Sequence, residues 1–137
     1  MKHIIVGYDG SEYAAKAYTQ AVDLAVKYGA TLEVLCVVRP PEPPEIVETE
    51  AMLENAQEHF EQEFVALKQQ AEAVGLHPNL MVLVGNPADQ IIHHASMNST
   101  DLIVLGHRGK SRIQRWLLGS ISKRVISYSH CSVLIVR

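Results

Sequence analysis

A chain of 137 residues with 47% hydrophobic and 20% charged residues has the size and composition of one globular domain, so we expect a single domain over residues 1–137. Its net charge of −3 and its 6% aromatic content argue against binding to nucleic acid. The apolar run at the start is too short for a signal peptide, and no stretch reaches the ~20 apolar residues of a membrane span, so we expect a cytoplasmic protein.

The first part of the chain alternates between strand and helix patterns. Residues 3–8 are a short apolar run that ends at the turn residues Asp9-Gly10-Ser11, which predicts a buried strand. Residues 12–28 carry apolar side chains at helical spacing, and Gly29 is placed to end that helix. Residues 31–38 are rich in β-branched residues and predict a second strand, whereas the four prolines of residues 39–45 predict a loop.

The second part continues the alternation. Apolar residues step by three and four from Leu53 to Val74, which predicts a long helix that ends at Gly75 and turns its glutamates to solvent. Residues 80–84 predict a third strand, and Asn86-Pro87 has the chemistry of a helix start. Two further strands are predicted at 101–106 and 131–136, with a last short helix before the final strand.

This order of elements predicts the fold class. Apolar strands alternating with helices indicate a parallel sheet covered on both faces, and right-handed crossovers make it a doubly wound, Rossmann-like α/β fold. Ligands bind such sheets beyond the carboxyl ends of the strands. Asp9 and the start of residues 106–120 both fall at that edge, so we expect the functional site there.

The cysteines and paired histidines have simpler interpretations. Cys36 and Cys131 lie in apolar runs without CxxC spacing, which predicts buried free thiols. Adjacent residues of a helix point about 100° apart, so His93 and His94 do not form a chelating pair, and we expect both on the surface.

The stretch GHRGKSRIQRWLLGS, residues 106–120, combines glycines with basic residues. Its GKS resembles the end of a P-loop, but Val104 stands where that motif requires glycine, and no GxGxxG follows the first strand. The remaining pattern is Gly106, Gly109, Gly119 and Ser120: glycines that allow close approach to an anion, then the start of a helix that favours phosphate. A surface loop with glycines for turns stays open as an alternative.

That pattern resembles the G-2x-G-9x-G-[S/T] motif of the ATP-binding branch of the universal stress protein family. The resemblance runs from residue 3 to residue 137 and includes Asp9 to Glu12, Gly85-x-Pro87-Ala88, the strand 101–106 and the closing VLIVR. It implies a five-stranded sheet in the order 3-2-1-4-5. His107 departs from the family, which often has a small hydroxyl residue there, and this could alter phosphate contacts.

The resemblance also implies a set of site residues. Asp9 with Gly7 and Tyr8 would face the ribose and adenine, and Val37, or Val38 if the register shifts, would line the adenine pocket. Leu105 and Gly106 would approach the ribose and first phosphate. The phosphates would be held by Gly109, Gly119, Ser120 and the amide of Ile121, with Mg²⁺ brought by ATP and contacted through Ser120 or Asp9.

The function implied is that of a nucleotide-dependent regulatory protein of the stress response. The resemblance further implies a homodimer through the strand 131–136. A slow Mg-dependent ATPase or AMP-forming enzyme is the alternative from another class, and a partner-binding module without a nucleotide is the third. Efficient phosphoryl transfer needs metal ligands and a residue that positions the nucleophile, and Asp9 is the one carboxylate at the predicted site. We therefore assign no catalytic residue. The regulatory partner and the inducing stress are not readable from the residues.

Overall fold

Strands and helices alternate along the chain in the computed structural model, which describes residues 1–40, 46–108 and 118–137, without the side chains of residues 46–49. The elements are β1 His3–Gly7, α1 Glu12–Tyr28, β2 Thr31–Val38, α2 Ile46–Glu72, β3 Asn79–Val84, α3 Pro87–Met97, β4 Leu102–Gly106, α4 Ser120–Tyr128 and β5 Ser132–Val136. The predicted loop is outside the described residues from 41 to 45. Helix α2 begins before the apolar stripe at Leu53 from which the sequence predicted it.

The five strands form one sheet in the order β3-β2-β1-β4-β5, with parallel pairing throughout, which confirms the predicted fold class. Strand β1 lies in the centre, where its pairing with β2 sets Gly7 opposite Leu35. On the other side, the β4–β5 register sets Gly106 opposite Val136. The carboxyl ends of β1, β2 and β4 therefore meet at one edge of the sheet, next to the point where the winding reverses.

Alternate side chains of the strands build a separate core on each face. Helices α1 and α2 cover one face, where Ile4 and Val6 of β1 pack with residues such as Tyr18 and Leu67. Helices α3 and α4 cover the other face, where Ile5 of β1 joins a second cluster. Strands buried on both faces explain the continuous apolar runs in the sequence.

Caps fix where the helices begin. Ser11 accepts a hydrogen bond from the amide of Ala14 at 3.1 Å and starts α1. Asn86 accepts one from the amide of Asp89 at 3.1 Å and starts α3, with Pro87 in its first turn. Helix α4 differs, because its N-cap residue is Gly119 and no side chain caps it. Its first amides are therefore left for other partners.

The opposite, amino edge of the sheet carries a network of four side chains that the sequence did not predict. Glu33 on β2 is 8% exposed, and its two carboxylate oxygens accept hydrogen bonds from Nε2 of His3 at 2.9 Å and Nε2 of His94 at 2.8 Å. The other ring nitrogen of His3, Nδ1, lies 2.9 Å from the hydroxyl of Thr100. We call His3, Glu33, His94 and Thr100 the amino-edge network.

Two expectations from the sequence need correction. His93 is exposed as expected, but the His94 side chain is only 18% exposed because it turns inward to Glu33. Both cysteines are free and Cys36 is fully buried, but Cys131 is only partly buried. Cys131 immediately precedes the edge strand β5, which has a neighbour on one side only. No helix in the described part of the chain is long and apolar enough to cross a membrane.

Candidate functional site

A pocket opens at the carboxyl edge of the sheet, between the ends of β1, β2 and β4 and the starts of α3 and α4. It encloses about 510 Å³ of empty space, counting its mouth. Its lining residues are Gly7, Tyr8, Asp9, Ala14, Leu35, Val37, Pro87, Ile91, Leu105, Gly106, Arg108, Ile121 and Ser122. We call this the carboxyl-edge pocket.

The inner wall of the pocket is apolar. Leu35 and Val37 lie two residues apart on β2 and so face the same side of the sheet, toward Ile91 of α3. Strand alternation turns the neighbouring Val38 the other way, and Val37 is the one of the two that lines the pocket. Gly7 forms part of the floor, because a Cβ atom there would lie 2.6 Å from Cδ2 of Leu105 and 3.1 Å from Cδ1 of Ile91. This wall suits the flat, apolar face of an aromatic ring.

Asp9 sits in a tight turn at the pocket's rim. Its Oδ1 accepts a hydrogen bond from the amide of Ser11 at 2.9 Å, and Gly10 between them has a φ of 83°. Only residues that tolerate the left-handed region fit at Gly10, so the sequence Asp-Gly-Ser makes this turn locally. The turn holds the Asp9 carboxylate at the mouth, where a ligand's hydroxyl or a metal ion can reach it.

Tyr8 and Cys36 lie beside this rim, on the other face of the sheet. The Tyr8 ring packs against the α1 and α2 core, and burial, followed by the nearby Glu63 carboxylate, raises the pKa of its hydroxyl. Burial in the same region, again followed by Glu63, raises the pKa of the Cys36 thiol to about 12. Cys36 therefore stays a protonated, unreactive thiol at neutral pH.

Two polar residues of the pocket were not predicted from the sequence. Arg108 is 8% exposed and, with Asp9, supplies the charged side chains among the described lining residues. Ser122 is 4% exposed, and its hydroxyl donates a hydrogen bond to the carbonyl oxygen of Gly106 at 3.0 Å. The basic character of residues 106–120 was a signal for Arg108, whereas nothing in the sequence pattern marks Ser122.

The start of α4 is tied to the end of β4 by two hydrogen bonds. Gly119 donates its amide to the carbonyl of His107 at 3.0 Å, beside the bond from Ser122 to Gly106. We call this pair of hydrogen bonds the neck, since the residues between 108 and 118 leave and return through it. It brings the uncapped first turn of α4 to the rim of the carboxyl-edge pocket.

Gly106 lines the pocket and also has a packing role that the sequence did not predict. A Cβ atom there would lie 2.8 Å from the carbonyl carbon and from Cβ of Tyr13, so glycine is needed for α1 to pack closely on β4. His107 is 4% exposed, and its ring lies 6.3 Å from that of Tyr13. His107 is not among the described lining residues, and its effect on phosphate contacts stays a prediction.

Most residues predicted for the site converge on this one pocket: Gly7, Tyr8, Asp9, Val37, Leu105, Gly106 and Ile121. Gly119 and Ser120 are not among its lining residues but begin α4 next to Ile121. Gly109 lies outside the described residues, as do the basic residues Lys110, Arg112 and Arg115. Within the described ranges, no group of three His, Cys, Asp or Glu side chains is placed to hold a metal ion.

Comparison with known proteins gives one consistent result. The model of the universal stress protein family matches residues 1–137. The universal stress protein YxiE of Bacillus subtilis is 35% identical over 98% of this chain and 97% of its own length. The universal stress protein MJ0531 of Methanocaldococcus jannaschii is 33% identical over 99% of this chain and 82% of its own length.

Solved structures agree with this result. The universal stress protein UspA from Lactobacillus plantarum superposes with a TM-score of 0.89 at 27% identity, over 99% of this chain and 97% of that one. A universal stress protein in complex with cAMP superposes with a TM-score of 0.77 at 25% identity, over 99% of this chain and 97% of that one.

Proposed function

The chain belongs to the universal stress protein family, and on that premise we propose that it binds an adenine nucleotide, ATP foremost, and acts as a nucleotide-dependent regulatory protein of the stress response. The observation that carries this proposal is the carboxyl-edge pocket, with an apolar wall at one end and the uncapped first turn of α4 at the other. A relative of the same fold was crystallised with cAMP, which supports an adenine ligand.

The two ends of the pocket suit the two ends of a nucleotide. The adenine ring lies against Val37 and Leu35, and the Asp9 carboxylate accepts a hydrogen bond from the ribose. The phosphates lie at the start of α4, where the amides of Ser120 and Ile121 and the helix dipole favour negative charge. Gly109 and Gly119 complete the phosphate cradle in this proposal.

Mg²⁺ enters this proposal with the phosphates of ATP. It is a hard cation that prefers oxygen ligands and keeps several of its waters. Asp9 offers a carboxylate whose Oδ1 already accepts from Ser11, and Ser120 offers an exposed hydroxyl at the start of α4. Either group fits as a single additional ligand, which matches a cation held mainly by the nucleotide.

Gly119→Val tests the cradle. We expect ATP and AMP binding to be lost in calorimetric titration, because the branched side chain occupies the space where backbone meets phosphate. Thermal stability without ligand should be nearly unchanged, since Gly119 lies outside the core strands. Ala73→Val adds a similar branched side chain at an exposed position after α2 and should bind like wild type. Wild-type affinity in Gly119→Val contradicts the proposed cradle.

The rate of ATP hydrolysis distinguishes a regulatory protein that binds ATP from an efficient ATPase. Asp9 is the carboxylate among the described lining residues, and amides that bind the ground state and transition state alike do not accelerate chemistry. We expect single-turnover hydrolysis of ATP with Mg²⁺ far below the median enzyme rate of ~10 s⁻¹. Hydrolysis at several events per second, abolished in Asp9→Ala with binding intact, would make the protein an ATPase.

We further propose a homodimer through β5. This strand forms an edge of the sheet, and its residues Val133 to Val136 are only half-buried although all are apolar. An apolar edge strand with unpaired backbone groups is a liability that antiparallel pairing with a second copy removes. In this proposal a regulatory partner binds a two-fold symmetric dimer, and its binding depends on whether the two pockets hold a nucleotide.

A further inference from the structure

We propose that Ser122 is a positioning residue, whose hydroxyl fixes the phosphate-binding start of α4 relative to the base-binding end of β4. The proposal rests on the nucleotide site proposed above and assigns one residue the task of setting the distance between its two halves. The observation behind it is the neck, in which a buried side-chain hydroxyl of α4 bonds to a main-chain carbonyl of β4.

Helix α4 packs against α3 and the sheet through the apolar side chains of Val125 and Ile121. It has nine residues, and the two that are buried are Ser122 and Val125. Val125 is fully buried in the core cluster shared with α3, but an apolar contact has no preferred direction. It keeps the helix on the sheet without fixing its rotation or its advance along its own axis.

The ion pair from α4 to α3 is weak. Arg124 donates through Nε to Asp89 of α3 at 2.7 Å, but both side chains are about half exposed, at 51% and 53%. Exposed ion pairs of this kind contribute little, since water screens them. The directional, buried contact of α4 is therefore the hydrogen bond of Ser122.

That hydrogen bond connects the two halves of the site. Its acceptor, the carbonyl of Gly106, ends the strand whose Leu105 lines the base wall. Its donor stands in the same first turn of α4 as the phosphate-facing amides of Ser120 and Ile121. With the backbone bond from Gly119 to His107, it holds that turn at a fixed distance from β4. Loss of the hydroxyl keeps the amides of this turn but lets the turn that carries them shift relative to β4.

The test separates positioning from stability by comparing two ligands. Adenosine uses the base wall and Asp9, whereas AMP uses these and the phosphate amides, so the ratio of their dissociation constants measures the phosphate contribution. We expect Ser122→Ala to reduce the advantage of AMP over adenosine about fivefold while adenosine affinity stays close to wild type. Ser122→Thr keeps the hydroxyl and should restore the ratio.

Ser127→Ala is the matched control, because it removes a hydroxyl from the same helix that bonds only to the carbonyl of Lys123 at 2.9 Å. We expect it to leave the ratio unchanged. If Ser122→Ala does not fold, Ser122→Cys keeps the size with a weaker donor and should give an intermediate ratio.

The outcomes are distinguishable. An unchanged ratio in Ser122→Ala, or an equal loss for adenosine and AMP, overturns the positioning role while the nucleotide site stands. Failure of the wild-type protein to bind either ligand overturns the proposed function, and the role of Ser122 with it.

Discussion

Glu33 is the residue whose environment differs most from what its chemistry favours. A carboxylate in the middle of a buried strand requires donors, and here His3 and His94 supply one to each oxygen. The pairing holds β1, β2 and α3 together at the amino edge of the sheet. Its distance from the opposite edge makes it a support for the fold rather than part of the proposed site.

Glu33→Gln is expected to lower the free energy of unfolding by about 1–3 kcal/mol, because an amide keeps one accepting oxygen for two donors that stay half-buried. Urea denaturation measures this. Glu12→Gln is the control, since the Glu12 side chain is 84% exposed and lies 4.0 Å from Lys16, and its cost should stay below about 0.5 kcal/mol. Nucleotide affinity should be equal in both variants, and a loss in Glu33→Gln alone would place the network in the binding mechanism.

At the residue scale, Asp9 could be expected at the carboxyl edge because it follows a strand whose apolar run is visible in the sequence, and it lines the pocket there. Val37 was expected from the family resemblance and also lines the pocket, and the nucleotide contacts of both residues stay predictions. The bond between Glu33 and His94 could not be predicted, since 61 residues separate them and only the packing of α3 on β2 brings them together. Ser122 was missed for the same reason, as its acceptor lies 16 residues earlier on another element.

At the scale of elements, two glycines on neighbouring strands perform different tasks. Gly106 lets α1 approach β4, and the atoms that block a larger residue belong to Tyr13 of α1, its backbone included. Gly7 leaves room in the pocket floor, and the blocking atoms are the ends of the Leu105 and Ile91 side chains. Backbone cannot move aside without moving a helix, whereas side-chain ends can rotate.

This contrast predicts that substitution by alanine mainly lowers stability at Gly106 and mainly lowers ligand affinity at Gly7. Gly106→Ala should destabilise the protein by about 1–3 kcal/mol, because overpacking against backbone forces α1 off the sheet. Gly7→Ala should cost less stability but weaken adenosine and AMP binding together, since the displaced Leu105 side chain fills the base pocket. Thermal denaturation and calorimetric titration of both variants measure the two effects. The reverse order of stability, with Gly7→Ala the less stable, would contradict this assignment.

The elements themselves were predictable where local chemistry defines them. The caps of α1 and α3 confirm the predicted helix starts, and Gly29 ends α1 with a φ of 63° as glycine allows. Helix α2 was placed too late, because its first residues follow the proline-rich segment and precede the apolar stripe. A helix turn without a repeating apolar face gives no periodic signal.

At the scale of the whole molecule, the predicted strand order was confirmed because few arrangements satisfy short right-handed crossovers, and the family resemblance selected one of them. The homodimer stays a prediction. The homodimer requires that a second copy of the chain covers β5, and the chemistry of an edge strand does not identify which molecule pairs with it.

Val133→Lys tests that dimer. A lysine within β5 places a charge in the proposed interface, so light scattering at micromolar concentration should change from a dimer to a monomer. Val82→Lys places the same change on β3, the opposite edge of the sheet, where Val82 is similarly half-buried. That control should remain a dimer. A wild-type monomer, or dissociation caused by Val82→Lys alone, would show that β5 is not the interface.

The neck has a consequence for chain length. Because hydrogen bonds from Gly119 to His107 and from Ser122 to Gly106 close the base of the segment between them, the two elements keep their positions without help from its middle. Loop-closure entropy grows slowly with length, by about 0.6 kcal/mol for each doubling. We expect variants with a few residues added or removed between residues 108 and 118 to keep nearly the same free energy of unfolding. If the same variants lose affinity for the proposed nucleotide, the spacing of nine residues between Gly109 and Gly119 serves the ligand and not the fold.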